Sequence, residues 1–514
     1  MAQATRTRAH LQRILRSQRG KNGIRGQAMV LGIVMLLVLC IGVIILFDTG
    51  QAVSKKVELV NAADAAAYSV AVQQARALNF AAYSNRARVA NEVAVAQVIG
   101  IYSWMNQLHT ATIVFEKTMN VLSGIPYVGI VFKSLAVVFK AAGKVLKAAR
   151  TTFHGVAEVA VRTIDELNGA LATAANTILD YVSTVDGLLV ARNVISRNSP
   201  DASLSAVGTG VLTSQLATAK SGFLHTYRIP RSSGSGSASA RAGADRFRNV
   251  VMQSRDKFSW DRSGHDWNLG IIKFEQSGGT DMVDYNRWAA ADALSLKVNL
   301  PWPLDDIDLP LGWGGAQAVE SYKQQRFMSG FANGQGWVSE FNNNRRYRPY
   351  GDIRRDNRVA SGFIDGDPNV SLDGGKKKGA YFTGYEGLRD YHDVQKDHAL
   401  RPYTEPGRGD AQKNTGPIFT VHVQTDVANA RTSAAIDGIG GPAGSPMAME
   451  DKAANGKLSA MASGQVYFNR PVNYSLFKRG DNRLEVGNLF SPYWQARLVE
   501  TPAAVEALLG ISRL

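Results

Sequence analysis

The chain has 514 residues and a formal net charge of +15, from 58 Lys and Arg against 43 Asp and Glu. Residues 1–26 hold seven of the basic residues and no acid, so almost half of the excess charge lies in one short tail. No RNA-recognition, zinc-finger or basic-zipper pattern accompanies this charge, and we expect no nucleic-acid partner. The single cysteine, Cys40, excludes an intramolecular disulfide and a cysteine-based zinc site.

Residues 29–47 form an uncharged, apolar run near the N-terminus. As a helix, this run covers about 28 Å, close to the ~30 Å hydrocarbon core of a bilayer. The basic tail before it places the N-terminus in the cytoplasm. The alternative is a cleaved secretory signal, but the run is long for a signal core and Phe47-Asp48-Thr49 is a poor cleavage site. We therefore predict a single-pass protein of the bacterial inner membrane, with the bulk of the chain periplasmic or otherwise extracytoplasmic.

A second apolar stretch, residues 121–145, contains Lys133, Lys140 and Lys144. At 100° per residue these lysines share one side of a helix, opposite Val, Leu and Phe. This pattern predicts an amphipathic helix rather than a second membrane span. Two interpretations stay open, in which the helix packs on a partner or lies on the membrane surface.

The predicted fold class is α+β, with a transmembrane helix continuing into a helical stalk or bundle, then a mostly β extracytoplasmic domain. Helical spacing of apolar residues predicts an unbroken helix to about residue 120, and one to three further helices over roughly 125–195. Small alanines along these helices suit close helix packing in a bundle or oligomeric stalk. The predicted segments are 1–28 (basic cytoplasmic tail), 29–47 (transmembrane helix), 48–225 (helical stalk or bundle), 226–240 (linker), 241–437 (β-rich domain) and 438–514 (linker and C-terminal α/β segment).

Local patterns refine the C-terminal half. The serine- and glycine-rich residues 232–239 predict a flexible linker, residues 342–378 a polar loop and residues 438–445 a second linker. A last helix is expected near residues 450–462. Alternating, turn-bounded segments predict strands at 297–300, 418–424 and 464–468.

Three motifs carry oxygen or nitrogen ligands. The Asp201-Ala-Ser203-Leu-Ser205 run matches a metal-dependent adhesion motif, but the preceding Asn-Ser-Pro favours a helix N-cap. Residues 365–371 begin like a calcium loop, but lack its sixth-position glycine and twelfth-position glutamate, which favours a polar turn.

The third motif places His392 and His398 near three aspartates, Asp390, Asp393 and Asp397. Its spacing matches no zinc pattern, and we interpret it as a solvated loop. We therefore predict no metal or cofactor. Since no nucleophile, base and oxyanion site can be assembled either, we predict that the chain is not an enzyme.

The segment around the apolar run resembles the N-terminal part of the TadE/TadG-like proteins of bacterial Flp (Tad) pilus assembly. The resemblance rests on Arg25-Gly26-Gln27 before the run, Asp48 and Gly50 directly after it, and Asn61-Ala-Ala-Asp64 beyond a basic patch. It covers about a tenth of the chain. The motif residues that it implies are Gly26, Gln27, Asp48, Gly50, Asn61 and Asp64.

The resemblance implies a membrane-anchored, structural or assembly component whose partners are the bilayer and other pilus-assembly or pilin-like proteins. A homo-oligomer is a further option. Val57, Asn61, Asp64 and Tyr68 lie on one face of the predicted helix, where the polar pair would bridge to a partner helix or face solvent. Peptidase-processed pilins carry Glu at the fifth position after the cleavage glycine. Here that position is Leu31, which favours a protein that stays in the membrane.

The alternative function is an anchored adhesion or ligand-binding protein. Its basis is a group of six tryptophans in the distal region, Trp260, Trp267, Trp288, Trp302, Trp313 and Trp337.

Overall fold

The computed structural model describes residues 2–127, 129–232, 234–260, 262, 267–269, 272–298, 307–321, 381–394, 415–431, 456–471 and 486–510; within the first helix the described side chains begin at residue 28. The predicted polar loop at 342–378, the calcium-like run 365–371, the linker at 438–445, and Asp397 and His398 lie outside these residues. So do Trp302 and Trp337.

Seven α-helices are found among the described residues: α1 Ala2–Leu122, α2 Gly129–Tyr181, α3 Gly187–Asn198, α4 Ala206–Thr218, α5 Ala238–Gln253, α6 Lys257–Trp260 and α7 Ala503–Leu508. A π-helical turn, Val182–Asp186, joins α2 to α3, and another, Ala219–Phe223, follows α4. A 3₁₀ turn covers Val427–Ala430.

Eleven strands lie in the same part of the chain: β1 Ser203–Leu204, β2 Leu224–Tyr227, β3 Trp267–Leu269, β4 Ile272–Asp284, β5 Arg287–Val298, β6 Ile307–Val319, β7 Tyr381–Thr383, β8 Tyr391–Val394, β9 Thr415–Asp426, β10 Lys457–Phe468 and β11 Trp494–Val499. They form a four-stranded sheet in the order β1-β9-β10-β11, a two-stranded sheet β2-β8 and a five-stranded sheet β3-β4-β5-β6-β7. All pairs are antiparallel except β6 with β7.

The α+β class is confirmed, with a long N-terminal helix and sheets in the C-terminal part. Helix α1 is unbroken through residue 120, as its apolar spacing predicted. With 121 residues it is about 180 Å long at 1.5 Å per residue. Helix α2 returns along α1 in the antiparallel direction, from the ring stack of Phe115 on Phe139 to the hydrogen bond between Asn91 and Asn168.

Both large sheets pack directly on α1. The four-stranded sheet covers the alanine-rich part of the helix, and a Cβ on Gly464 of β10 would collide with the carbonyl oxygen of Ala67. The five-stranded sheet packs further along, where Gly314 of β6 lies equally close to the backbone of Ser103. The small residues of α1 therefore serve contacts with sheets and with α3 inside this chain.

Two hydrophobic cores follow from this packing. The first joins Leu59 and Val70 of α1 with α3, α4 and the four-stranded sheet. The second joins Ile99 and Tyr102 of α1 with α2, α5 and the five-stranded sheet, around Trp288. A single helix thus supplies one wall of each core.

Three local predictions need correction. The expected helix near 450–462 is wrong over residues 457–462, which begin β10 and pair with β9. The apolar stretch 121–145 is two helix ends joined by a turn, because α1 ends at Leu122 and α2 begins at Gly129. The serine-rich stretch at 232–239 already enters α5 at Ala238, with the Ser237 hydroxyl accepting a hydrogen bond from the Ala240 N–H.

The strands expected at 418–424 and 464–468 are confirmed within β9 and β10. The strand expected at 297–300 is found as far as Val298, the end of β5, and its last two residues lie outside the described part. The division into stalk, linker and β-rich domain stays a prediction.

Candidate functional site on the N-terminal helix

The apolar run of α1 presents exposed side chains. The side chains of Leu31, Leu36 and Leu39 are each more than 60% exposed. The residues next to them in the sequence are also apolar. This part of α1 has a mean hydropathy of 3.3 and is long and apolar enough to cross a membrane. An exposed helix of this composition is stable in lipid, where backbone groups are satisfied internally and apolar side chains face hydrocarbon.

The motif residues lie at both ends of this run and beyond it. Gly26 and Gln27 belong to α1, but their side chains are outside the described part. Asp48 is buried, at 7% exposure, directly after the run. Gly50 is exposed, and no described atom lies within 4 Å of where its Cβ would stand. Asp48 is therefore a packed residue, whereas Gly50 is not required here by a close contact.

The face of α1 that carries Asn61 and Asp64 is turned away from the other described elements of the chain. We define the outer face of α1 by six residues: Val53, Val57, Val60, Asn61, Asp64 and Tyr68. Val57 and Tyr68 are about half exposed, whereas Leu59, Ala63 and Ala66 on the opposite side are fully buried. Asp64 is half-buried, and partial burial raises the pKa of its carboxyl. The outer face thus continues the exposed surface of the apolar run for about five helical turns.

A charged cluster ties α1 to the rest of the chain just beyond the apolar run. The Lys55 ammonium lies 2.9 Å from the Glu58 carboxylate, donates to Ser199 Oγ over 3.4 Å and lies 3.7 Å from the Asp201 carboxylate. Hydrogen bonds from Ser199 and Lys55 lower the pKa of Glu58. Lys56 donates to the Ser459 carbonyl. The folded body therefore begins only two helical turns from the end of the apolar run.

A second polar cluster fixes α1 inside the other core. The buried Glu92 carboxylate accepts hydrogen bonds from Trp288 Nε1, the Tyr385 hydroxyl and Asn168 Nδ2. Its burial raises its pKa. One turn earlier, Arg88 donates to the carbonyls of residues 389 and 390. Nothing in the sequence pattern marks these residues, since an Arg and a Glu four apart read as an ordinary solvated helix pair.

Buried ion pairs hold the five-stranded sheet and the α5 region. Arg262 binds Asp292 through two hydrogen bonds of 2.6 and 2.9 Å. Arg246 donates to Asp393, whose carboxylate also accepts from the Leu489 N–H. These pairs satisfy charges that would otherwise be costly to bury. They hold these elements together inside the chain.

The adhesion-like run at Asp201–Ser205 contains the helix N-cap that its sequence context predicted and a short strand that it did not. Ser203 and Leu204 pair with β9, and the Ser205 hydroxyl accepts a hydrogen bond from the Gly208 N–H at the start of α4. Ser205 Oγ also lies 2.6 Å from Nδ1 of His422, a pairing that the sequence did not indicate. Both residues are buried, and burial lowers the pKa of His422. The pair joins α4 to β9 and is closed to substrate-sized molecules.

His392 is not in a solvated loop, and that prediction is wrong. It lies in β8, where Nδ1 is 2.5 Å from Asn176 Oδ1 and Nε2 is 2.9 Å from Thr226 Oγ1. Burial lowers its pKa. Across the residues with described side chains, no three His, Cys, Asp or Glu groups converge in a way that could hold a metal ion.

A half-open cavity of about 590 Å³ lies between α2 and the segment 384–390. Its lining is mostly polar and includes Glu166, Asn176, Glu320 and Arg389. Arg389 already pairs with Asp165 and Glu386, so its charge is used within the chain. Of the six tryptophans, Trp288 is fully buried and Trp260 is 45% exposed. The side chains of Trp267 and Trp313 are outside the described part.

Comparison with known families bears on the apolar run and the outer face of α1. Residues 26–74 match the family described as putative Flp pilus-assembly TadE/G-like. This segment is similar to that family. The matched TadE/G-like segment contains all six motif residues and ends within the alanine-rich part of α1. Neither a curated protein nor a solved structure matches the chain.

Proposed function

We propose that this chain is a membrane-anchored, non-enzymatic component of a Tad-type pilus assembly system. Residues 29–47 hold it in the bacterial inner membrane with the N-terminus in the cytoplasm. The outer face of α1 binds a helix of another pilus-assembly or pilin-like protein.

The observation that carries the proposal is the coincidence of the family match with an exposed helix surface. The match covers residues 26–74, and within it the outer face of α1 runs on from the apolar run without a break. A partner helix anchored in the same bilayer would lie alongside this surface at the same height. Val57 and Tyr68 supply apolar contact, and Asn61 and Asp64 supply hydrogen-bonding groups for register.

The internal pairing of polar residues supports a non-enzymatic role. Ser205 is used as a helix cap and His392 is bonded through both ring nitrogens. The Glu92 carboxylate has three donors from its own chain. Each of these groups is held in place by hydrogen bonds within its own chain.

The alternative, an anchored adhesion or ligand-binding protein, is favoured by the polar cavity beside α2. It is weakened by Trp288, because a tryptophan in the core cannot serve as a binding platform. A strain that lacks the gene separates the two functions. Loss of pili supports assembly, whereas normal pili with reduced surface attachment supports adhesion.

The decisive experiment is complementation of that strain with single variants of the full chain. Val57→Asp places a carboxylate on the outer face of α1, and Val207→Asp is its matched control on α4. The two valines are exposed to 52% and 53%, so neither change should affect folding. We expect Val57→Asp to abolish piliation at unchanged protein level and Val207→Asp to restore it. Normal piliation with Val57→Asp would remove the outer face of α1 from the proposal.

Processing at Gly26 has a separate test. Because Leu31 stands at the fifth position after this glycine, we expect no peptidase cleavage there. Mass spectrometry of the protein purified from membranes should show residues 2–26 intact. A terminus at Gln27 would instead indicate a processed, pilin-like subunit.

A further inference from the structure

Helix α2 carries a second exposed apolar face, and this one lies outside the family match. Helical phase places thirteen residues between positions 130 and 159 within about 120° of one another. We define them as the outer face of α2: Ile130, Val131, Ser134, Val137, Val138, Ala141, Val145, Ala148, Ala149, Thr152, Gly155, Val156 and Val159. Each of the seven Val and Ile side chains is more than 60% exposed.

The side of α2 that packs on α1 is made of different residues. Between residues 129 and 150 the buried positions are Gly129, Ala136, Gly143 and Arg150. Glycine, alanine, Arg150 and the ring of Phe139 therefore face α1, whereas the Val and Ile residues of the outer face are turned outward. Within the stretch 121–145, Phe139 packs on Phe115 of α1, whereas Ile130, Val131, Val137, Val138 and Val145 lie on the outer face.

The outer face of α2 has the spacing of a helix–helix seam. Val131, Val138 and Val145 are seven residues apart, and Val159 follows after two further heptads. Ser134, Ala141, Ala148 and Gly155 stand between them at the second seam position, where small residues allow close approach. The repeated valines supply the apolar stripe that one position of a two-helix seam requires.

Charge and area fit the same kind of partner. All charged residues of α2 between positions 130 and 159 lie outside the seam, with Lys133, Lys140, Lys144 and Lys147 along one edge and Glu158 beside them. At roughly 100 Å² for each of seven exposed Val and Ile residues, the seam offers on the order of 700 Å² per copy, close to the ~800 Å² per partner of a stable interface. A bilayer surface fits less well, because α2 runs along α1 and would stand upright where α1 crosses the membrane.

We infer that the outer face of α2 binds the same face of a second copy of this chain, in a parallel, in-register pair. The parallel direction rests on the proposed anchoring, since two copies anchored in one bilayer point the same way and α2 is fixed along α1. A two-fold axis along the membrane normal then brings Val131 against Val131 and Val159 against Val159 of the second copy. These two seam positions are 28 residues apart, or about 42 Å along the helix.

Cysteine cross-linking in native membranes tests this pairing. In a Cys40→Ser background, which removes the natural thiol, Val131→Cys and Val159→Cys are oxidised as separate single variants of the full chain. Each should form disulfide dimers, because paired seam positions bring Cα atoms within the ~7 Å that a disulfide requires. Val207→Cys, an exposed valine on α4, is the matched control and should stay monomeric.

The relative direction of the two α2 helices is determined in cells that produce two differently tagged chains, one with each cysteine. A parallel pair gives no mixed Val131→Cys to Val159→Cys dimer, whereas mixed dimers alone would show an antiparallel pair and overturn the inference. Dimer yields no greater than those of Val207→Cys, or cross-links only to another protein, would also overturn it. Adding Val138→Asp should cut the yield by roughly tenfold, because the seam then buries a carboxylate.

The outcome is separable from that of the proposed function. Anchoring is measured by extraction of the same membranes with carbonate, and pilus assembly by the Val57→Asp complementation. Cross-linked dimers, together with normal pili in the strain that lacks the gene, would uphold the α2 pairing and reject the assembly role. Piliation lost with Val57→Asp, but without α2 dimers, would do the reverse.

Discussion

The indole Nε1 of Trp288 on β5 donates a hydrogen bond of 2.9 Å to the carboxylate of Glu92 on α1. The same carboxylate accepts from the Tyr385 hydroxyl at 2.6 Å and from Asn168 Nδ2 at 3.0 Å. One side chain of the N-terminal helix thus joins the five-stranded sheet, the segment before β8, and α2. Because all four residues are buried, removal of any one leaves polar groups that water cannot reach.

Glu92→Ala should destabilise the folded body strongly. The change leaves three donors without an acceptor, at roughly 1–3 kcal/mol for each unsatisfied group, so we expect a loss of about 3 kcal/mol or more. Urea unfolding of the full chain in detergent, followed by tryptophan fluorescence, measures it. Glu166→Ala on the exposed side of α2 is the control and should stay within about 0.5 kcal/mol of wild type. Equal stability of the two variants would show that the Glu92 contacts contribute nothing.

The stability of the wild type relative to Glu92→Gln should depend on pH. Burial raises the folded pKa of Glu92 above its ordinary value of 4.5. The contribution of a group whose folded pKa is raised is fully present below the unfolded pKa, and is lost as pH rises through the folded pKa. We therefore expect the free energy of unfolding of the wild type, relative to that of Glu92→Gln, to fall as the pH rises above about 4. A difference that grows with pH would contradict this sign.

Gly464→Val should separate the four-stranded sheet from α1. A side chain at this position meets the backbone of Ala67 and the side chain of Ala71, and neither can move without shifting the helix. Overpacking of this kind costs about 1–3 kcal/mol, and contact with backbone places it at the upper end. Thermal unfolding measures the loss. Gly210→Ala in α4, where the added Cβ meets no described atom within 4 Å, should be neutral or stabilising.

Tyr127→Gly should stabilise the turn between α1 and α2. Tyr127 has a φ of 68° and a fully exposed side chain, so it has the cost of a left-handed conformation without a packing contact. Glycine adopts this φ freely, and we expect a gain of about 1 kcal/mol. The melting temperature of the full chain in detergent should rise. A fall would show that the tyrosine side chain makes a contact in solution.

The sequence was sufficient for features that depend on local pattern. The apolar run, the unbroken α1, the strands within β9 and β10, and the TadE/G-like segment all follow from spacing, composition or motif. The helix expected at 457–462 failed for a physical reason. Its Leu, Ala and Met residues favour a helix locally, but pairing with β9 on one side and, from Ser463, with β11 on the other determines a strand.

Long-range contacts could not be derived from one sequence. The docking of Gly464 on Ala67 joins residues about 400 positions apart, and Glu92 meets Trp288 across nearly 200. Each partner looks ordinary in its own segment, since alanine suits any helix and tryptophan suits any core. The exposure of Val57 and Tyr68 had the same limit, because helical phase shows which residues share a face but not which face is covered.

Helix α1 both contains the apolar run and forms one wall of each core. The rotation of the folded body about the helix axis is therefore fixed relative to the apolar run. Each residue inserted between Gly50 and Lys55 would rotate the folded body by 100° about the helix axis relative to the apolar run. Seven inserted residues would nearly restore the original orientation of the folded body and would move it about 10 Å further from the apolar run. The number of residues between the apolar run and the folded body therefore sets the rotation of the body about the helix axis as well as its distance from the run.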